Sequence, residues 1–542
     1  MSARHFDLTP IVNLTGDRGA GPVRVRRPVY VDLLAPCQHA CPAGEDVRGW
    51  IGLAQAGMYR EAWTMLVRDN PLPAVLGRVC YHPCESACNR GALDAPVSSH
   101  AIERFLGDRA AEKRWPFEPA AAPSGKRVLI VGAGPCGLSA AYHLLRCGHV
   151  VEIHEAQSSA GGMMSFGIPA YRLPRETLRV EIGRLTAMGL QMVFNHPVED
   201  VLAEQAAGGF DAVLIAVGAG IAKHVDIPAR DAPRVLDALS LLRHVTAGEA
   251  PQLGRRVVVY GGGNTALDAA RSARRLGAEE TLIVYRRDRA HMPAHAFELA
   301  EASDEGVKIK WLTAIKEITG RELTLERMEL DAEGRPHATG RYETLPADAV
   351  VLAVGQETDS RFLARVPGIE LATDGTVRVG PDMMTGRPGV FAGGDMIPGA
   401  QSVSIAVGAG KHAALGIDAW LRGGHDERPK SRAVVGVEML HLPVYSDADP
   451  SAQPTAAPVQ RVHDFEEIVG GLAEAQVRYE ASRCFSCGHC FECDSCFAAC
   501  PEQAIVKLGP GRGYRYDDRK CTGCAVCFEQ CPCHAIEMIL EP

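Results

Sequence analysis

Two copies of the spacing C-x2-C-x2-C-x3-C-P dominate residues 484–542: Cys490, Cys493, Cys496 and Cys500 before Pro501, then Cys521, Cys524, Cys527 and Cys531 before Pro532. One copy alone would also suit a zinc knuckle, but the tandem matches a pair of 4Fe–4S clusters in which each run's fourth cysteine crosses to the other cluster. On that rule Cys490, Cys493, Cys496 and Cys531 hold one cluster and Cys521, Cys524, Cys527 and Cys500 the other, with Cys533 a neighbour. A segment this short buries little apolar surface, so bound metal is expected to organise it.

The chain has 18 cysteines in 542 residues: five between Cys37 and Cys88, eleven between Cys484 and Cys533, and only Cys136 and Cys147 in between. Its opening residues, MSARHFDLTP, carry no charged-then-apolar leader, and no apolar stretch approaches the roughly 20 residues that span a bilayer. A cytoplasmic chain is expected, where clustered cysteines point to metal rather than disulfides. A net charge of -9 without a long basic run argues against nucleic acid as a partner.

The middle of the chain reads as apolar strands ending in glycine-rich turns. RVLIV runs into Gly132-x-Gly134-x-x-Gly137, and Glu155 closes the next strand, where a carboxylate can accept from a ribose hydroxyl pair. The turn lets backbone approach a pyrophosphate at a helix N-terminus. RRVVVY runs into a second fingerprint, Gly261-Gly262-Gly263-Asn264-Thr265, but its next strand ends in Arg286 and Arg287. A guanidinium pairs with a 2'-phosphate that a carboxylate would repel, so this site favours NADP(H), with NAD(H) the alternative. Two dinucleotide sites are explained by one flavin and one nicotinamide, defining a path from NAD(P)H through FAD to the clusters or its reverse. Cys136 reads as a small packed residue; His291 and His295, with Pro293 between them, read as loop.

The expected class is α/β: a helical iron–sulfur domain (1–120), an FAD-binding domain in two parts (121–250 and 361–422), an NAD(P)H-binding domain (251–360), and a ferredoxin-like α+β domain (481–542). Both nucleotide domains are Rossmann-like, as in the disulfide-reductase fold. Residues 423–480 lose the strand–helix rhythm and read as a flexible connector.

From about Leu34 to Leu421 the chain resembles the small subunit of NADPH-dependent glutamate synthase and the N-terminal half of dihydropyrimidine dehydrogenase. The resemblance rests on NPLPAVLGRVC, CESAC, VGAGPCGLSAA, GGMMSFGIPAYRLP, GGGNTALDAARSARRLGA, YRRDRAHMPA and VFAGGD, in family order. It implies FAD at the first fingerprint, with Gly162, Arg172 and Asp395 nearby, and NADPH at the second, with Gly355 nearby. It also implies that Asp395 holds the ribityl chain and that the helix beginning near Ser402 aims its N-terminus at the flavin ring.

Members of that family carry Ala-Ser-Arg-Cys-x-x-Cys-Gly ahead of the position of Cys37. Here the same element stands at 481–488, with Cys484 and Cys487. By resemblance, one N-terminal cluster takes Cys41, Cys80, Cys84 and the carboxylate of Glu103. The other then takes Cys37 and Cys88, completed by Cys484 and Cys487, for four 4Fe–4S clusters in all. A flexible 58-residue connector would span roughly 40 Å, enough to bring that element back within one chain or to a neighbour.

The expected activity is electron transfer between NADP(H) and a free ferredoxin or a partner enzyme, such as a 2-oxoacid or aldehyde oxidoreductase, within a hetero-oligomer and away from membranes. A glutamate synthase small subunit is the second reading and an iron–sulfur redox sensor the third.

Overall fold

The computed structural model describes residues 24–223, 225–230, 234–424, 432–509 and 511–541. Residues 1–10, read above for a leader, lie outside them. No helix among the described residues is long and apolar enough to cross a membrane.

Two five-stranded parallel sheets form the centre. The first orders Val390–Ala392, Ala212–Ile215, Arg127–Val131, Val150–His154 and Gln191–Val193. The second orders Lys308–Lys310, Glu280–Val284, Arg256–Tyr260, Ala349–Leu352 and Arg234–Asp237. Central strands such as Arg127–Val131 are buried on both faces, as all-parallel sheets covered by helices require. Because Arg234–Asp237 is the second sheet's edge, that domain begins before residue 234 rather than at the expected 251. A three-stranded antiparallel meander (Thr313–Thr319, Glu322–Leu330, Pro336–Pro346) covers it.

The N-terminal domain is helical, as expected, from Pro36–Ala40 to Ser99–Glu112. One apolar core runs from these helices into the first sheet and reaches Val477 and Ala481 near the far end of the chain. Helix Val403–Leu421 crosses between them. A Cβ on its Gly408 would sit 2.0 Å from the carbonyl oxygen of Pro42, a contact only glycine permits.

Two further domain boundaries, and the character of the connector, differ from expectation. Strand Arg26–Tyr30 does not belong to the helical domain but pairs antiparallel with Ile536–Leu540, so the N-terminal region supplies one strand of a two-stranded sheet in the ferredoxin-like module. Helix Glu474–Ser482 runs across the expected 480/481 boundary and packs on Val47–Gln55 and Ser99–Glu112. The described part of the connector is not loose: Leu34 bridges Val434, Asn89 Nδ2 donates to the carbonyl of Val435 (3.0 Å), and Arg90 donates to that of Ser446 (3.0 Å). Burial of Val435 and Leu440 with Phe485 holds it down.

Candidate electron-transfer site

In the first nucleotide turn Gly132 has φ +104°, and a Cβ on Gly137 would lie 2.1 Å from Gly132 O, so strand and helix meet without side chains. Around a Cβ built on Gly134 there is no atom within 4 Å, and the N-terminus of helix Pro135–Arg146 opens onto that space. Gly162 packs against it, its Cβ position 2.9 Å from Gly134 Cα. Buried Glu155 braces the turn, accepting from the N–H groups of Ala133 (2.7 Å) and Gln157 (2.8 Å). Asp395 lies beside Cys136, and burial raises its carboxyl to about 6. Cys136 is itself buried, packed against Gly393 and Gly394 as a small residue. Ser402 caps helix Val403–Leu421, its hydroxyl accepting from Ile405 N–H (3.2 Å).

The second turn opens on a cavity of about 450 Å³ lined by Gly261, Gly263, Thr265, Arg286, Arg287 and Gly355 among others. Arg287 Nε is buried there without a hydrogen-bond partner, an orphaned donor that an anionic ligand would satisfy. Asn264 turns the other way: Nδ2 donates to the Tyr81 hydroxyl (2.6 Å) and Oδ1 accepts from His295 N–H (3.0 Å). Tyr81 stacks on His295 at 3.7 Å, tying the loop after Cys80 to the second domain. Arg172 lies at the seam between the two nucleotide domains, buried and paired with Asp268 (2.8 Å) and Glu298.

None of the 18 cysteines is in a disulfide, and fifteen of them gather in four sets. Cys37, Cys88, Cys484 and Cys487 line one small cavity. Burial pushes up the thiols of Cys37, Cys484 (to about 11) and Cys487 (to about 12), and the neighbouring thiols of the set reinforce this. Cys41, Cys80 and Cys84 make the second set. Burial also raises Cys84, helped by Glu85, Cys80, Cys41 and Glu103 in turn. In the ferredoxin-like module, Cys496 stands with Cys531, Cys490 and Cys493, and Cys527 with Cys521 and Cys524; Cys500 shares the latter cavity. Four thiols crowded in a poorly solvated space ionise together only around a cation, which is the donor chemistry of an iron–sulfur cluster. Cys533 instead donates to the carbonyl of His489 (3.1 Å).

Beyond Glu103, which the resemblance implied, several residues at these sets carried no sequence signal. Buried Glu45 and Glu103 face the second set, joined by Asn70 Nδ2, which donates to both (3.0 and 2.7 Å). Burial, then Glu45 and Cys80, push the Glu103 carboxyl well up. Ser404 hydrogen-bonds Cys80. Arg48 donates to the carbonyl of Cys487 (2.9 Å), and the Tyr30 hydroxyl lies 3.5 Å from Cys496 Sγ. Each contact joins segments far apart in the chain, beyond the reach of spacing. His291 pairs with Asp288 in a loop, as expected.

Two nucleotide turns on adjoining parallel sheets, with four thiol sets around them, define a flavin and nicotinamide oxidoreductase equipped with iron–sulfur clusters. Residues 126–410 match the pyridine nucleotide-disulphide oxidoreductase family, 33–115 the 4Fe-4S cluster domain II of dihydropyrimidine dehydrogenase, and 489–535 the 4Fe-4S dicluster domain. The chain belongs to the pyridine nucleotide-disulphide oxidoreductase family, in the form fused to iron–sulfur domains at both ends, and is an FAD-, NADP(H)- and 4Fe–4S-dependent oxidoreductase. It is similar to the NADP(+)-dependent formate dehydrogenase subunit beta of Moorella thermoacetica, 38% identical over 504 residues, 84% of this chain and 71% of that protein. It is also similar to the NADPH-Fe(3+) oxidoreductase subunit beta of Geobacter sulfurreducens, 31% identical over 90% of this chain and 79% of that one. The small chain of Escherichia coli glutamate synthase [NADPH] is 33% identical over 71% of this chain and 88% of its own.

Proposed function

We propose that this chain is the electron-transfer subunit of a hetero-oligomeric enzyme, carrying electrons between NADP(H) and a catalytic oxidoreductase subunit that docks at the ferredoxin-like module. A formate-oxidising partner is the leading candidate, on the similarity to the Moorella thermoacetica subunit over most of both chains. FAD supplies the exchange between hydride pairs and single electrons. The chain's own residues position it. Gly132, Gly134, Gly137, Gly162 and Glu155 cradle its adenosine diphosphate half, with Arg172 and Asp395 toward the ring. Gly261, Gly263, Thr265, Gly355 and the two arginines hold NADP(H), with Asn264 fixing the start of that helix.

The observation that carries this reading is helix Val403–Leu421. It starts at the Ser402 cap next to the Asp395 loop, touches Cys80 through Ser404, and packs against Pro42 beside Cys41. One element thus joins the flavin side to the thiol set Cys41, Cys80 and Cys84, whose fourth ligand we assign to Glu103. The route continues through Cys37, Cys88, Cys484 and Cys487. Cys487 and Cys490 are three residues apart, so a cluster on one lies within roughly 11 Å of chain from a ligand of the next.

The test is the double variant Cys484→Ser/Cys487→Ser. Iron should fall by about four atoms per chain, one cluster's worth. NADPH should still reduce the flavin, while reduction of the module clusters, followed by EPR, slows by orders of magnitude. Unchanged iron would remove the shared cluster, and unchanged module reduction would show that electrons reach the module without passing through it. Independently, neutral residues at Arg286 and Arg287 should raise the KM for NADPH far more than for NADH. Equal losses would show that these guanidinium groups do not read the 2'-phosphate.

A further inference from the structure

We propose that His154, His196 and Glu204 form a binding site for a divalent cation of the zinc class on the first nucleotide domain, separate from every thiol set. His154 ends strand Val150–His154, His196 lies in the loop after Gln191–Val193, and Glu204 is on helix Val201–Gly208. Their ligand atoms all fall within 4.8 Å of one another. His196 Nε2 is 2.9 Å from Glu204 Oε1, and His154 Nδ1 is 3.4 Å from Glu204 Oε2. Two ligands each about 2.0–2.1 Å from a tetrahedral zinc stand roughly 3.3 Å apart, so each histidine is already near coordinating separation from Glu204, with no pair of ligand atoms beyond 4.8 Å.

The electrostatics of His154 argue that something positive belongs there. Its side chain is only 8% exposed, and Nε2 hydrogen-bonds Glu152 Oε1 (3.0 Å). In the neutral tautomer that donates to that carboxylate, the ring proton is on Nε2 and the Nδ1 lone pair faces a second carboxylate. Nδ1 is indeed buried with no hydrogen-bond partner. Two acceptors face each other across 3.4 Å, an arrangement a shared cation satisfies. The Glu152–His154 contact is the outer-shell pairing that orients zinc-bound imidazoles. His196 and Glu204 are 40% and 27% exposed, which gives an ion an entry path and leaves a coordination position for water.

The location gives such an ion a consequence. Residue 155 follows His154 directly, and His196 N–H donates to the Glu155 carbonyl (2.9 Å). A bound cation would clamp the strand end, the following loop and helix Val201–Gly208 around the carboxylate that braces the first nucleotide turn.

The experiment is a Co2+ titration of the full-length chain loaded with flavin and clusters, followed by visible spectroscopy. The wild type should take one Co2+ showing d–d bands without thiolate charge transfer. His196→Ala and Glu204→Gln, both at accessible positions, should each abolish those bands. Glu152→Gln removes no ligand and should weaken binding about 10- to 100-fold. Absence of the bands in the wild type, bands with thiolate character, or unchanged affinity in the three variants would each overturn the site.

Discussion

Tyr30 shows how much one residue can decide. It arrives from the N-terminal strand, stacks between Tyr514 and Tyr516 at 6.2 Å from each, and brings its hydroxyl to 3.5 Å from Cys496 Sγ. Burial pushes the phenol's pKa up, with Cys496 adding to it, so it stays protonated and donates to the cysteinate. Hydrogen bonds to ligand sulfur raise a cluster's potential. Tyr30→Phe should therefore shift the cluster of Cys490, Cys493 and Cys496 to a more negative potential and move the Cys521 cluster less, as read by potentiometric EPR. Asp395 allows a pH prediction. Burial raises its folded-state pKa to about 6 from an ordinary value of 3.8, so its contribution is full below the unfolded value and is lost as pH rises through 6. In flavin-free protein, Asp395→Asn should gain thermal stability relative to wild type between pH 4 and 7, the gap levelling off above that.

Helix Glu474–Ser482 is the element the sequence concealed. Its buried face contains Val477, Glu480 and Ala481, so a charge occupies a core position and the apolar period that marks a helix is broken. Only the tertiary contacts explain that charge. Glu480 accepts from the N–H groups of Ser98 (2.8 Å) and Ser451 (2.7 Å) and pairs with Arg483 (2.6 Å), which also reaches Asp94 (3.2 Å). Arg483→Met would strand Glu480 as a buried carboxylate, and removing one partner of such a pair typically costs about 3–5 kcal/mol. A denaturant melt should show that loss together with weaker retention of the cluster proposed at Cys484. By contrast, the nucleotide turns were legible residue by residue, because a strand, a tight turn and a helix N-terminus all lie within one short stretch of chain.

At the scale of the molecule, the ferredoxin-like module is a fixed part and not a head on a tether. Strand Arg26–Tyr30 pairs with Ile536–Leu540 over five residues, Leu33 N–H donates to Gly488 O (3.0 Å), and buried Arg48 donates to the carbonyls of Leu33 and Cys487. On the function proposed above, a partner would dock at this surface, where Cys493 and Cys524 are exposed. Cutting the chain within the connector should leave both fragments co-eluting on gel filtration under native conditions, and denaturant should separate them.

Sequence alone determined the chemistry: the cysteine spacings, the two glycine turns and the arginine pair are short patterns whose function depends on neighbours a few residues away. Tertiary structure decided who shares them. The family resemblance implied that Cys484 and Cys487 join Cys37 and Cys88, but that an N-terminal strand pairs with the C-terminal one, that helix Glu474–Ser482 packs on the N-terminal helices, and that Glu45 stands beside Glu103 are contacts set by the path of the whole backbone. Local spacing carries no record of that path, because pairings hundreds of residues apart form only when a packed core brings their carriers together.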